Sequence, residues 1–152
     1  MKSRIFDINP QIDVQTYNMF VTPENLCQID LTKYDYVIDA IDTVSAKIAI
    51  IEECERQGIK IISSMGAGNK LNPCAFKVSD IYKTSVCPLA KAVRTELKKR
   101  GVKKLKVVYS DETPVAQVQY DENGKRVPSS CAFIPSVAGL IISAEVIKDL
   151  IK

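Results

Sequence analysis

Two aspartates spaced three residues apart, Asp39 and Asp42, follow an apolar run that begins at Tyr36, inside the segment VIDAIDTVSAKIAIIEECERQGIKIISSMGAGN (Val37 to Asn69). A carboxylate at the end of a parallel strand can hold Mg²⁺ and so neutralise triphosphate charge during attack on an α-phosphorus. The same residues can also serve structure. Asp42 directly precedes a helical pattern and is placed to accept its first backbone N–H groups, a role worth about 1 kcal/mol. Asp39, at the strand end, can be hydrogen-bonded structure. Capping and metal binding are compatible at one position, so both readings stand.

The run Ser63-Ser64-Met65-Gly66-Ala67-Gly68-Asn69 follows the next apolar segment. Gly66 and Gly68 would let the backbone approach a nucleotide or an acyl group closely, and a plain turn accounts for them almost as well. Cys87 stands before Pro88 at a helix start, the setting that lowers a thiol pKa and makes a nucleophile; a packed cysteine is the commoner outcome. Lys98, Lys99, Arg100, Lys103, Lys104 and Lys106, with Lys91 and Arg94 upstream, could contact RNA phosphates or form a solvated helix end that complements the macrodipole.

Composition removes whole classes of chemistry. The chain has no histidine, which excludes Ser-His and Cys-His catalytic pairs and every His-ligated metal site. Its cysteines, at 27, 54, 74, 87 and 131, include no C-x-x-C pair, so neither a disulfide framework nor a zinc ribbon is encoded. They read as reduced cytosolic thiols. A net charge of +3 is too small to declare a nucleic-acid binder. Neither G-x-G-x-x-G nor G-x-x-x-x-G-K-[ST] occurs, so the grip on phosphates is expected from residues upstream of Met1 or on another chain.

The elements that must position these residues follow from periodicity. With 152 residues and 46% hydrophobic content, one domain is expected. No apolar run approaches membrane-spanning length and no secretory signal opens the sequence, so a soluble cytoplasmic protein is expected. A buried parallel strand is predicted over Tyr36 to Ala40, a helix over about Thr43 to Gln57 stopped by Gly58, and a second strand over Ile59 to Ser63. In that helix Val44, Ile48 and Ile51 share one face, with Lys47, Glu52, Glu55 and Arg56 assigned elsewhere. Upstream, Lys2 to Ile8 reads as a helix end stopped by Asn9-Pro10. Ile12 to Tyr17 alternates like a strand, and Thr22-Pro23 is expected to open a short helix through Leu26 and Ile29. Downstream, strands are expected over Ala75 to Ile81 and Leu105 to Tyr109, and a helix over Pro88 to Arg100 ended by Gly101. Asp121-Glu122-Asn123-Gly124 marks a hairpin or extended loop after Gln117 to Tyr120, and an apolar helix is expected over Pro135 to Ile151. The fold class is α/β, Rossmann-like, with a mainly parallel sheet flanked by helices and truncated at its N-terminus.

These residues resemble the ThiF, MoeB and HesA group of adenylating enzymes, related to the ubiquitin-activating enzymes. VIDAIDTVSAK is similar to their strand-to-helix D-x-x-D segment. ISSMGAGNKLNP and DIYKTSVCPLAKAVRTELKKRG are similar to a narrower branch, the tRNA threonylcarbamoyladenosine dehydratases, and the likeness runs from Lys2 to Ile151. The resemblance implies ATP-dependent adenylation of the threonylcarbamoyl carboxylate on tRNA adenosine 37, after which an internal nucleophile closes a ring and AMP leaves. It implies that Asp42 positions Mg²⁺-ATP with Thr43 beside it; Asp39, Ser64, Gly66 and Gly68 are the further residues expected, from their place in the sequence, to line the cofactor. It also implies a homodimer and a sulfur-transfer partner protein. The family's glycine-rich loop, ribose-binding acidic residue and phosphate-contacting arginine and lysine would precede Met1. The chain is therefore expected to be the C-terminal portion of an adenylating domain, inactive alone. Cys87 is the weaker catalytic candidate, since many members of that branch carry an acidic residue before Pro-Leu. Alternatives are an adenylyltransferase of sulfur carriers or ubiquitin-like proteins, against which the missing C-x-x-C pairs argue, and a non-catalytic RNA-binding or dimerisation fragment. An NAD-dependent dehydrogenase is weakest, its fingerprint loop being absent.

Overall fold

A computed structural model describes residues 1–115, 119–124 and 126–152. Its core is a four-stranded sheet of β1 (Tyr36–Asp39), β2 (Lys60–Ser64), β3 (Phe76–Asp80) and β4 (Lys106–Ser110), in the order β1-β2-β4-β3. β1, β2 and β4 run parallel and β3 returns antiparallel against β4, so the sheet is mainly parallel, as expected. β1 lies at one edge.

Helices α2 (Val44–Gln57) and α3 (Pro88–Lys99) cover one face of the sheet, and α4 (Phe133–Leu150) covers the other. The alternation of side chains along a strand makes this sandwich possible. Val107 packs with Ile48, Ile51, Val93 and Leu97 of α2 and α3, while the next residue, Val108, packs with Ile134, Ala138 and Ile142 of α4. α2 ends where Gly58 takes a left-handed φ of 69° and its N–H caps the Cys54 and Glu55 carbonyls. α3 begins on Pro88, whose missing N–H costs nothing there.

The amino-terminal segment departs from the sequence reading. α1 (Lys2–Ile8) forms and buries none of its residues. Ile12 to Tyr17 alternates but pairs with no strand among the described residues, so it stays irregular. The helix expected from Thr22-Pro23 is a turn followed by one 3-10 turn at Leu26–Gln28, because the Asn25 side chain accepts the Thr22 N–H at 2.7 Å and closes a local turn instead. Leu26 nonetheless packs on Ile50 and Cys54, seating this segment on α2. Beyond β4 a small hairpin, β5 (Gln119–Tyr120) with β6 (Arg126–Val127), forms around Gly124 at φ 73°. Of the strand expected from Gln117, residues 117 and 118 lie outside the described residues.

Candidate functional site

The carboxyl ends of the parallel strands gather the two aspartates and the glycine loop, while Lys103, Lys104 and Lys106 lie at the opposite end, where β4 begins. Parallel register sets Asp39, the last residue of β1, opposite Ser63 of β2. Asp39 is 1% exposed. Its Oδ2 accepts from Lys47 Nζ at 2.8 Å and from the Ser63 hydroxyl, and its Oδ1 accepts the Ile41 N–H at 3.1 Å. Lys47, assigned to the polar side of α2, is instead wholly buried with this carboxylate. The correction has a plain cause. Three residues from Val44 along the helix, Lys47 points at the sheet, and burial of its charge is tolerated because Asp39 neutralises it. A second cation on Asp39 would have to displace an ammonium from a buried site, and in the structure Asp39 ties β1, β2 and α2 together.

Asp42 is different. It lies exposed in the short turn between β1 and α2. The helix cap is Thr43, with no side-chain capping bond, and its carbonyl takes the Lys47 N–H at 3.0 Å. The capping role expected of Asp42 is therefore not used, and its carboxylate makes no hydrogen bond or ion pair among the described residues. No group of three or more His, Cys, Asp or Glu that could cage a metal occurs among them either. Mg²⁺ is commonly held by one or two carboxylates together with substrate phosphates, and a single exposed aspartate at a strand end fits that mode.

The glycine loop is tied down on both sides. Met65 is buried, and its N–H continues the β4 pairing to the Val108 carbonyl at 2.8 Å; Ser64 is half-buried beside it. A Cβ on Gly66 would stand 3.7 Å from both Cys87 Sγ and Leu89 Cβ, an ordinary contact. On Gly68 it would fall 2.8 Å from Pro128 Cβ. Gly68 is thus required by the segment packed over it. Asn69, at φ 56°, exchanges backbone bonds with Ser129 (2.7 Å) and Val115 (2.7 Å), and its Oδ1 accepts the Ser129 N–H at 3.0 Å.

Cys87 is 4% exposed and caps α3, its Sγ accepting the Ala90 N–H at 3.5 Å. The fold brings it to Gly66, but as a packed capping residue. Val86 before it holds φ 62°, a conformation uncommon for a β-branched residue. The basic cluster is partly spent. Lys99 and Arg100 pair with Glu96, Arg100 also with Glu52, and Lys106 with Asp149, while Arg94 donates to Thr84 and the Ile81 carbonyl. Lys91, Lys98, Lys103 and Lys104 stay exposed. One residue escaped the sequence reading altogether: Lys70, directly after the loop, is 3% exposed and donates from Nζ to the Glu112 carbonyl at 2.6 Å. Nothing local marks it, since its surroundings come from a segment more than forty residues away.

This arrangement has close relatives. The model of the ThiF family matches residues 1–152. Over its whole length the chain is 47% identical to the tRNA threonylcarbamoyladenosine dehydratase of Bacillus subtilis (strain 168), covering 65% of that protein. Over 64% of its length it is 43% identical to the Escherichia coli (strain K12) protein of the same name, covering 37% of it. A solved structure of the E. coli tRNA N6-threonylcarbamoyladenosine dehydratase in complex with AMP superimposes with a TM-score of 0.86 at 33% identity, over 99% of this chain and 62% of that one. The complex with ATP gives 0.84 at 31% identity, over 99% and 61%. The chain thus covers less than two thirds of the length of each of these relatives.

Proposed function

The chain belongs to the ThiF family, and from that premise we propose that it serves an ATP-dependent tRNA threonylcarbamoyladenosine dehydratase. In this reaction a carboxylate oxygen of the threonylcarbamoyl group on tRNA adenosine 37 attacks the α-phosphorus of ATP and pyrophosphate leaves. An internal nucleophile then closes a ring on the activated carbonyl, expelling AMP. Support for the nucleotide comes from the relatives, whose structures are ATP and AMP complexes. Carboxylate adenylation rests on positioning and charge neutralisation far more than on a protein acid or base, which suits a chain without histidine.

One observation carries the reading: at the carboxyl end of the parallel strands, where open α/β sheets bind ligands, Asp39 is committed to structure and Asp42 is left exposed. Asp42 is the residue we assign to Mg²⁺ and the nucleotide phosphates, with Thr43 beside it and Ser64 and Gly66 on the neighbouring loop. When bound, the metal supplies neutralisation of triphosphate charge. The Asp39–Lys47–Ser63 group fixes the turn through the Ile41 N–H, so that Asp42 is presented by a rigid support. The phosphate-gripping loop, of which neither usual pattern occurs in these residues, is proposed to come from outside them. A cytoplasmic location, a homodimer and a sulfur-transfer partner belong to the same reading.

The test is Asp42→Asn, assayed for AMP formation in the complete adenylating protein. Adenylation is expected to fall by orders of magnitude with threonylcarbamoyl-modified tRNA as substrate, while the melting temperature stays put because no capping bond is lost. Undiminished turnover would remove Asp42 from the mechanism. Running the same assay with a sulfur carrier ending in Gly-Gly decides the substrate class. Turnover with the carrier alone would replace this reading by a sulfur-carrier adenylyltransferase.

A further inference from the structure

The stretch from Lys98 to Lys106 holds six cations and no acid, and the fold puts it at the amino end of the sheet, away from Asp42. Half of that charge is neutralised. Glu96 and Glu52 take Lys99 and Arg100, and Asp149 and Glu145 take Lys106. Lys98, Lys103 and Lys104 stay exposed, with no hydrogen bond or ion pair among the described residues. A fourth cation joins them from the next strand. β2 and β4 run parallel with Ile62 opposite Lys106, and Lys60 and Lys104 each stand two residues before that pair, so like charges fall at the same level on neighbouring chains. Lys60 donates only to the Asp149 carbonyl, at 3.0 Å. Like charges side by side repel, and an anion shared between them relieves the repulsion.

Both lysines line a groove of 780 Å³ that is mainly apolar, with Ile59, Ile61, Val78 and Leu105 in its wall. Three carboxylates line it too. Asp80 is taken by the N–H groups of Tyr82 (2.8 Å) and Leu105 (3.1 Å). Asp149 is taken by Lys106 and Tyr36, and the Lys152 charge acts on it as well. Glu55 alone is exposed and unbonded among the described residues. Lys60 and Lys104 therefore face one uncommitted carboxylate, and Lys103 and Lys98 carry the positive charge on beyond the groove. A volume of this size, apolar with a few charged groups at its edge, suits an anionic ligand as large as a nucleotide.

We propose that this groove takes one unstacked nucleotide of an RNA strand, its base on the apolar wall and its phosphates at Lys60 and Lys104, with the strand running on past Lys103 and Lys98. Glu55 is left to accept from a ribose hydroxyl or an exocyclic amino group. Cations that continue past the groove favour a polymer over a mononucleotide. The identity of that polymer rests on the tRNA reading above, to which the groove adds an anchoring surface remote from the reacting adenosine. From Lys60 to Ser64 β2 rises about 13 Å. A polymer engages both ends of the sheet at once, and a mononucleotide does not.

The test uses the full chain without ATP, so it is decided apart from the Asp42 assay. Fluorescence anisotropy follows a labelled single-stranded RNA of about ten nucleotides, free of threonylcarbamoyl groups, while methyl NMR follows Ile61, Val78 and Leu105. Saturable binding with shifts at those methyls is expected. Lys60→Gln with Lys104→Gln should weaken binding about tenfold or more and lower the salt slope by about 1.4, two phosphate contacts at about 0.7 each. Lys2→Gln with Arg4→Gln removes the same charge from α1, which buries none of its residues, and should change binding little. Asp42→Asn should bind the RNA as the unaltered chain does, so lost adenylation with RNA binding intact bears on the Asp42 site alone. Equal weakening by both lysine and arginine pairs, or binding without methyl shifts, reduces the contact to general attraction and overturns the proposal. AMP or poly-glutamate saturating the same methyls as tightly as the RNA overturns it as well, in favour of a mononucleotide or an acidic peptide.

Discussion

Lys47 Nζ and the Asp39 carboxylate meet at 2.8 Å with both side chains shut off from solvent, and this contact joins the first strand to the helix that follows it. Removing one partner should therefore be severe. Lys47→Met leaves the Asp39 carboxylate buried without a cation and is expected to cost about 3–5 kcal/mol in chemical denaturation. Adding Asp39→Asn to it should recover part of the loss, since an amide can still bond Ser63 and Ile41. A double variant no more stable than Lys47→Met would show that packing, not charge, is at stake.

The glycine loop gives a paired test. Gly68→Ala drives a methyl to 2.8 Å from Pro128 Cβ and should destabilise by about 1–3 kcal/mol, whereas Gly66→Ala meets its neighbours at 3.7 Å and should cost less than about 1 kcal/mol. Equal losses would contradict the packing described for residues 64 to 69.

Stability should depend on pH through the group that fastens α4 to the sheet. Asp149 bonds Lys106 at 2.6 Å and Tyr36 at 2.8 Å, and these contacts, Lys106 first, hold its carboxyl below the ordinary 3.8. A depressed carboxyl stabilises above its unfolded value and loses that contribution as pH falls through its folded one. Burial lowers the Lys106 ammonium, but Asp149 and Glu145 outweigh it and leave it above 10.5, so its contribution persists below 10.5 and is lost as pH climbs through the folded value. Urea midpoints should fall below pH 4 in the unaltered chain and less steeply in Lys106→Met. Parallel curves would remove this group from the acid response.

The proposed self-association has a surface to act through. Phe133, Leu140 and Ile147 recur every seven residues along α4 and are 48%, 70% and 58% exposed. Light scattering over a roughly tenfold concentration range should find a dimer that Leu140→Glu with Ile147→Glu converts to monomer. A monomer throughout, before substitution, would refute the proposal.

What was readable from the sequence is what short-range pattern encodes. The strand, helix and strand from Tyr36 to Ser64, the Gly58 and Gly101 stops and the Pro88 start each depend on neighbours within a few residues, through hydrophobic period and backbone freedom. The D-x-x-D spacing placed Asp39 and Asp42 at the end of β1 for the same reason. Their division of labour depended on register and depth. Only the pairing of β1 with β2 sets Ser63 against Asp39, and only the seating of α2 on the sheet buries Lys47 there, which frees Asp42 from structure. Ile12 to Tyr17 shows the converse, because an alternating pattern becomes a strand only when another strand supplies its hydrogen bonds. Lys70 was invisible for a related reason: its carbonyl partner arrives from Glu112, and contacts across such distances are decided by how the chain packs.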